Sequence, residues 1–195
     1  MMIDSNTWAA AAMGIALSAC CGFRVFIPML IAGLSSRFHW FHWFQFTGSF
    51  LWLSTTPALV SLATAAVVEI AAYYIPFVDN ILDAMATPLS MAAGALLATS
   101  VMPVETEWMK WTIGIIAGGG GAGLIASGTG LLRLLSSKVT LGSGNAVVAT
   151  AENTAAITGS VMSLLLPVFM AAIFIILFFY LAKKTWTKFT SGTQK

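Results

Sequence analysis

The sequence predicts an all-helical membrane protein, one domain over residues 1–195 with about six transmembrane helices. Three observations carry that expectation. Hydrophobic residues make up 58% of the chain and charged residues 8%, against roughly 25% charged in an ordinary soluble domain. Mean hydropathy is +0.90. Apolar stretches long enough to span a bilayer recur along the chain, separated by short polar or proline-bearing breaks. A chain so poor in charge could not cover its own surface in water. Its net charge of +2 and scattered basic residues exclude a nucleic-acid partner.

Met1 to Asn6 lacks the basic start of a removable leader, so the first apolar segment is expected to be retained. That segment runs from Trp8 to Leu34. Pro28 and glycines 14, 22 and 33 make it a kinked or broken helix, tolerable in lipid where neighbouring protein satisfies the backbone. Cys20 and Cys21, the only cysteines, are adjacent in this run and read as small packing residues rather than a disulfide or redox motif.

Residues 38–53 are dense in Trp, Phe and His, a composition suited to the headgroup layer, and predict an interfacial or re-entrant segment. His39 and His42 share a helical spacing, but two ligands alone make no metal site. Pro57 opens the second helix, which carries Glu69 and stops at Pro76. Residues 76–80 are expected to turn. A third helix follows with Asp83 near its start and Pro88 in its first turns, ending near Pro103.

The fourth helix is expected over residues 108–135 and contains the run Gly118 to Gly121, then Ala122 and Gly123. Such a run allows either close backbone approach between helices or local unwinding around a ligand. Residues 136–144 read as a polar loop carrying Lys138, with Arg133 just before it. Residues 145–159 read as a short helix with Glu152 and Asn153, and residues 161–182 as the last span. Six spans put both termini on one side, marked as cytoplasmic by the lysines from Lys183 onward. Arg133 and Lys138 then also fall inside, while Glu105 and Glu107 fall outside together with Arg37, the one basic exception. A five-span version, with residues 145–160 re-entrant, ranks second.

The segment from Gly14 to Arg37 can be laid over Gly114 to Lys138, since both begin Gly-Ile and end Leu-Ser-Ser-basic. Glu69 then matches Glu152, and Pro88 matches Pro167. Repeat halves over residues 8–103 and 108–183 would each hold three spans. They would be opposite in topology, an arrangement common in secondary transporters. Ala- and Gly-rich sequence can also produce such matches by composition.

The chemistry lies in Arg24, Glu69, Asp79, Asp83 and Glu152, which sit within or at the ends of the apolar segments. A charge at the centre of a membrane helix costs at least about 2.5–3.5 kcal/mol on insertion scales, so such residues pair, protonate or line wet cavities. Asp79 is suited to cap the third helix, and shares a face with Asp83. Glu69 and Glu152 would meet at the centre of a pseudo-two-fold and share a proton or cation. Arg24 could neutralise one of them, or form with it a purely architectural pair. Asn80, Asn145, Asn153, Ser18 and Thr154 could add neutral oxygens suited to hard cations. Arg24, Glu69, Asp79, Asp83, Glu152 and Asn153 are the candidate binding residues.

The stretch from Leu17 to Pro28, including Cys20-Cys21-Gly22-Phe23-Arg24, is similar to the N-terminal signature of a bacterial integral-membrane family, domain of unknown function 4126. So is Tyr74-Ile75-Pro76-Phe77-Val78-Asp79-Asn80-Ile81-Leu82-Asp83, with Thr87-Pro88 behind it. Ala151-Glu152-Asn153 also resembles that family. The resemblance spans nearly the whole chain and matches family motifs at Arg24, Pro28, Pro76, Asp79, Asp83 and Glu152. It implies a bacterial inner-membrane protein of this size and implies no activity.

The expected function is that of a small transporter-like protein moving a cation, a proton-coupled solute or a lipid headgroup past a buried acidic site near the midplane. The alternative is a non-catalytic scaffold whose buried charges are structural. An enzyme is not expected: Asp79 and Asp83 are too few for a lipid phosphotransferase, and both histidines lie in the aromatic segment. No cofactor is expected. The partners expected are the lipid bilayer, a cation or proton, and a second copy packed through small-residue faces.

Overall fold

The computed structural model describes residues 5–41, 44–46, 48–140 and 144–191. Among these the chain is helical throughout, without a strand. The α-helices are α1 (Ser5–Cys20), α2 (Phe26–Phe38), α3 (Thr56–Ala72), α4 (Pro76–Val101), α5 (Glu107–Ile113), α6 (Gly120–Thr140), α7 (Asn145–Leu165) and α8 (Pro167–Ser191). A 3₁₀ helix, Gly48–Ser54, precedes α3, and a π turn, Gly114–Gly119, joins α5 to α6.

The protein is inside-out relative to a water-soluble domain. Val67 and Val68 of α3, Leu131, Leu132, Leu134 and Leu135 of α6, and Ile176 and Phe179 of α8 are all more than half exposed. Arg24, Glu69, Asp79, Arg133 and Glu152 are buried. Apolar side chains facing out and charges facing in are the partition a lipid solvent selects, and this is a helical membrane protein. Ile81–Val101 and Glu107–Thr140 are long and apolar enough to cross a bilayer, and Gly48–Ser54 with Thr56–Ala72 forms a third such unit bent by 61°. Trp8–Cys20, Phe26–Phe38 and Pro167–Tyr180 are shorter apolar helices.

The first apolar segment is broken, as its proline and glycines predict, into α1 and α2. After Cys20 the backbone tightens, with Cys21, Gly22 and Phe23 donating to the carbonyls three residues back. Pro28 then falls in the first turn of α2, where a missing N–H costs nothing because that turn has no intrahelical acceptor. Gly22 stands here because a Cβ would lie 2.5 Å from the Ala122 carbonyl oxygen. The overlaid segment, residues 114–135, stays inside one continuous helix over Glu107–Thr140. The two segments therefore differ in backbone.

Several expected boundaries move. Pro76 does not end a helix but begins α4, with Ile75 as the residue before it. Pro88 lies well inside α4. Residues 136–140 continue α6 instead of forming loop. α7 extends to Leu165, so the last helix starts at Pro167 and not at Val161. Proline is acceptable at a helix start, which suits Pro76 and Pro167, and the Thr140 hydroxyl donates back to the Ser136 carbonyl within the extended end of α6.

Residues 38–53 are only partly interfacial. Phe44, Phe46, Phe50 and Leu53 are buried in the main core with Met13, Leu17 and Leu97, while Trp40 and Trp52 remain exposed. Phe44 and Phe46 meet edge to face at 5.4 Å, and the Phe46 N–H donates to Ser36 Oγ. His42 lies outside the described residues, so the His39–His42 pairing does too. Cys20 and Cys21 are free and buried.

The glycine-rich stretch stays wound and packs closely. α4 lies against the π turn and α1, and α1 also touches the π turn. A Cβ on Gly118 would lie 2.5 Å from the Gly94 carbonyl oxygen, and one on Gly94 would lie 2.7 Å from the Gly118 oxygen. Of the two readings of this run, backbone proximity describes the structure.

Candidate functional site

The α1–α2 break and four helices converge on one buried ionic cluster. The break after α1 delivers Arg24, α3 delivers Glu69 with Tyr73 just past its end, α4 delivers Asp83, α6 delivers Arg133, and α7 delivers Glu152 and Asn153. Arg24, Glu69, Tyr73, Asp83, Arg133 and Glu152 line one cavity of about 520 Å³, with Gly22, Thr87, Ser90 and Gly130 among the small residues between them. A second cavity of about 350 Å³ is walled by Ile15, Ile116, Leu124, Phe174 and Phe178, and has no ionisable lining.

Glu152 is the centre. Arg133 grips it side-on, Nε donating to Oε1 at 3.1 Å and Nη2 donating to Oε2. Arg24 Nη1 lies 3.0 Å from that same Oε2. The rest of the Arg24 fork is also occupied: Nε donates to Asn153 Oδ1 at 2.5 Å and Nη2 to the Ala149 carbonyl at 3.3 Å. The two guanidinium carbons lie 3.8 and 4.1 Å from the Tyr73 ring centre. The ring's negative face offsets part of the repulsion between the cations, and a desolvated cation–π contact of this kind is worth about 2 kcal/mol.

Arg133 is shared. Its Nε also lies 3.7 Å from Asp83 Oδ1, and its Nη1 is buried without a hydrogen-bond partner. Asp83 is the more accessible acid, its side chain a quarter exposed against 5% for Glu152.

The sequence-derived candidates divide. Arg24, Glu69, Asp83, Glu152 and Asn153 are brought together. Glu69 and Glu152 line the same cavity but take different partners. Glu69 accepts the N–H groups of Val25 at 2.8 Å and Phe26 at 3.1 Å, so it caps the start of α2 from another helix and its two oxygens are taken by backbone donors. Asp79 is not a helix cap either, because α4 begins three residues before it. Its Oδ2 accepts from Asn145 Nδ2 at 3.2 Å, beside Ser137, and its Oδ1 is buried without a hydrogen-bond partner. Of the neutral oxygens, Ser18 and Thr154 spend their hydroxyls on carbonyls of their own helices, and the Asn80 side chain lies outside the described residues.

Two members were missed. Arg133 was assigned to a cytoplasmic loop end, whereas it is 2% exposed in the middle of α6. The signal was present: a lone arginine inside Leu131-Leu132-Arg133-Leu134-Leu135 has lipid-facing neighbours on both sides. Tyr73 had a weaker one, four residues after Glu69 and therefore on its helical face. The site is thus mixed in charge and not purely acidic.

No curated protein and no solved structure matches the chain. The model of the family described as a domain of unknown function (DUF4126) matches residues 11–186. The cluster therefore lies wholly inside the matched region, and the chain belongs to the family of the domain of unknown function DUF4126.

Proposed function

We propose that this protein is a small, non-enzymatic transporter-like membrane protein whose solute site is the cavity around Glu152, with proton coupling through the cavity carboxylates. One observation carries the reading. Three carboxylates and two guanidiniums face a cavity of about 520 Å³ inside a helical membrane protein. Charges in such surroundings normally mark an ion or substrate path. The reading puts the protein in a bacterial inner membrane with both termini cytoplasmic.

The test is flux in proteoliposomes holding a pH-sensitive dye, challenged with a panel of amines, metal cations, carboxylates and phosphates. A solute-dependent proton movement that falls away in Asp83→Asn and Glu152→Gln supports the reading. Unchanged movement in both variants sinks it.

A second reading has its own support. Arg24, Arg133 and Glu152 join three parts of the bundle through near-complete pairing, as a register-fixing ion triad would. On that scaffold reading, replacing all three by apolar residues of similar volume keeps or raises stability, and no solute moves.

A further inference from the structure

We infer that the cavity takes an oxyanionic group, a phosphate or carboxylate, which seats on Arg133 in competition with Glu152 and is accompanied by a proton. This rests on the solute-site reading of the same cavity and names the class of solute.

Arg133 lines the cavity, is 2% exposed, and keeps Nη1 without a hydrogen-bond partner. A buried guanidinium N–H left unmade is costly, and its fork geometry matches oxyanions. Arg24 contributes charge at the same point but has its Nε and Nη2 committed to Asn153 and the Ala149 carbonyl. Arg133 spends Nε and Nη2 on Glu152, so of the two guanidiniums it is the one that keeps a nitrogen, Nη1, without a hydrogen-bond partner.

Charge balance decides the rest. Glu152 is faced by Arg24 from the α1–α2 break, Arg133 from α6, Glu69 and Tyr73 from α3 and its end, and Asp83 from α4. Three carboxylates outnumber two guanidiniums, so an added anion meets an unfavourable field unless one carboxylate loses its charge. Glu152 shares both of its oxygens with Arg133 and is the group an incoming oxyanion displaces. The displaced carboxylate takes one proton from solvent, no covalent bond changes, and anion and proton enter together.

The test is binding, independent of transport. Detergent-purified full-length protein is titrated with sulfate, inorganic phosphate and succinate, at concentrations too low for salting-out and against chloride at matched ionic strength. In parallel, melting is compared in nanodiscs of phosphatidylcholine with and without phosphatidic acid. Sulfate, which does not titrate near neutrality, is also run by calorimetry in buffers of different ionisation enthalpy. The expected result is a rise in Tm that grows as pH falls, with uptake of about one proton per sulfate bound. Glu152→Gln should bind more tightly, with no proton uptake and a flat pH dependence. Arg133→Lys, which keeps the charge and loses the fork, should bind at least about tenfold more weakly.

Stabilisation by the free anions identifies a soluble solute, and stabilisation by phosphatidic acid alone identifies a lipid headgroup; either supports the oxyanion. Stabilisation by alkylammonium or metal cations alone, or by nothing, overturns it. Should Glu152→Gln fail to fold, the wild-type proton count and the Arg133→Lys shift decide. Oxyanion binding without flux would remove the transport reading and leave this one standing. Cation flux without oxyanion binding would do the reverse.

Discussion

Arg24 and Arg133 meet at a single atom, Glu152 Oε2, one at 3.0 Å and the other in a side-on grip through both oxygens. A guanidinium from the break after α1 and one from the middle of α6 are thereby tied to the middle of α7. Removing the carboxylate takes away the carboxylate that Arg24 pairs with and leaves Arg133 only the longer contact to Asp83 at 3.7 Å. Glu152→Ala should lose about 3–5 kcal/mol of stability, the usual cost of stranding a buried charge. Thermal denaturation in detergent measures it, and a loss below about 1 kcal/mol would mean that the pairing is not formed.

Glu69 should behave differently because its partners are backbone groups. Glu69→Gln keeps one acceptor oxygen for the Val25 and Phe26 N–H groups and should cost about 1 kcal/mol. Glu69→Ala leaves both donors unmet and should cost about 2–6 kcal/mol, at about 1–3 kcal/mol for each. Amide hydrogen exchange supplies the localisation: in the Ala variant residues 25–27 should exchange faster while α6 keeps its protection.

The glycines separate into two kinds. Gly118→Ala would drive a methyl to 2.5 Å from the Gly94 carbonyl oxygen, and overpacking of this sort costs about 1–3 kcal/mol. Gly120→Ala and Gly121→Ala meet open space and should be neutral, or stabilising by up to about 1 kcal/mol through helix propensity. Equal melting temperatures for Gly118→Ala and Gly120→Ala would contradict the close approach of α4 to the π turn.

Topology is testable by labelling. With Arg133 buried, the positive charge expected at the inner end of α6 rests on Lys138, and the lysines from Lys183 onward carry the rest of the bias. Cys20 and Cys21 are buried, so engineered cysteines report cleanly. In intact cells an impermeant maleimide should label Thr106→Cys and spare Lys183→Cys, and inverted vesicles should show the opposite. Labelling of both from one side would remove the assignment.

Much of the site was legible because charge in an apolar run has few innocent explanations. Arg24, Asp83 and Glu152 stand out in the sequence for that reason, and all three reach the cavity. Arg133 stands out by the same rule, but the polar residues that follow it read as a cytoplasmic helix end and so place it at the membrane edge. Glu69 stands out too, but its oxygens meet the Val25 and Phe26 N–H groups rather than Glu152. Nothing in one chain pattern announces that a distant carboxylate will cap a helix start, since the sequence carries the orphaned N–H groups and the acceptor but not their meeting.

The helical class, the membrane setting, the break before Pro28 and the buried charges other than Arg133 were legible in the sequence alone. Hydropathy and proline stereochemistry act locally, so they can be read one residue at a time. Which charge meets which was decided only by the tertiary structure. Ion pairing depends on a few ångströms of separation between residues far apart in the chain, and the packing of α4 on the π turn and of α7 against the α1–α2 break sets those separations.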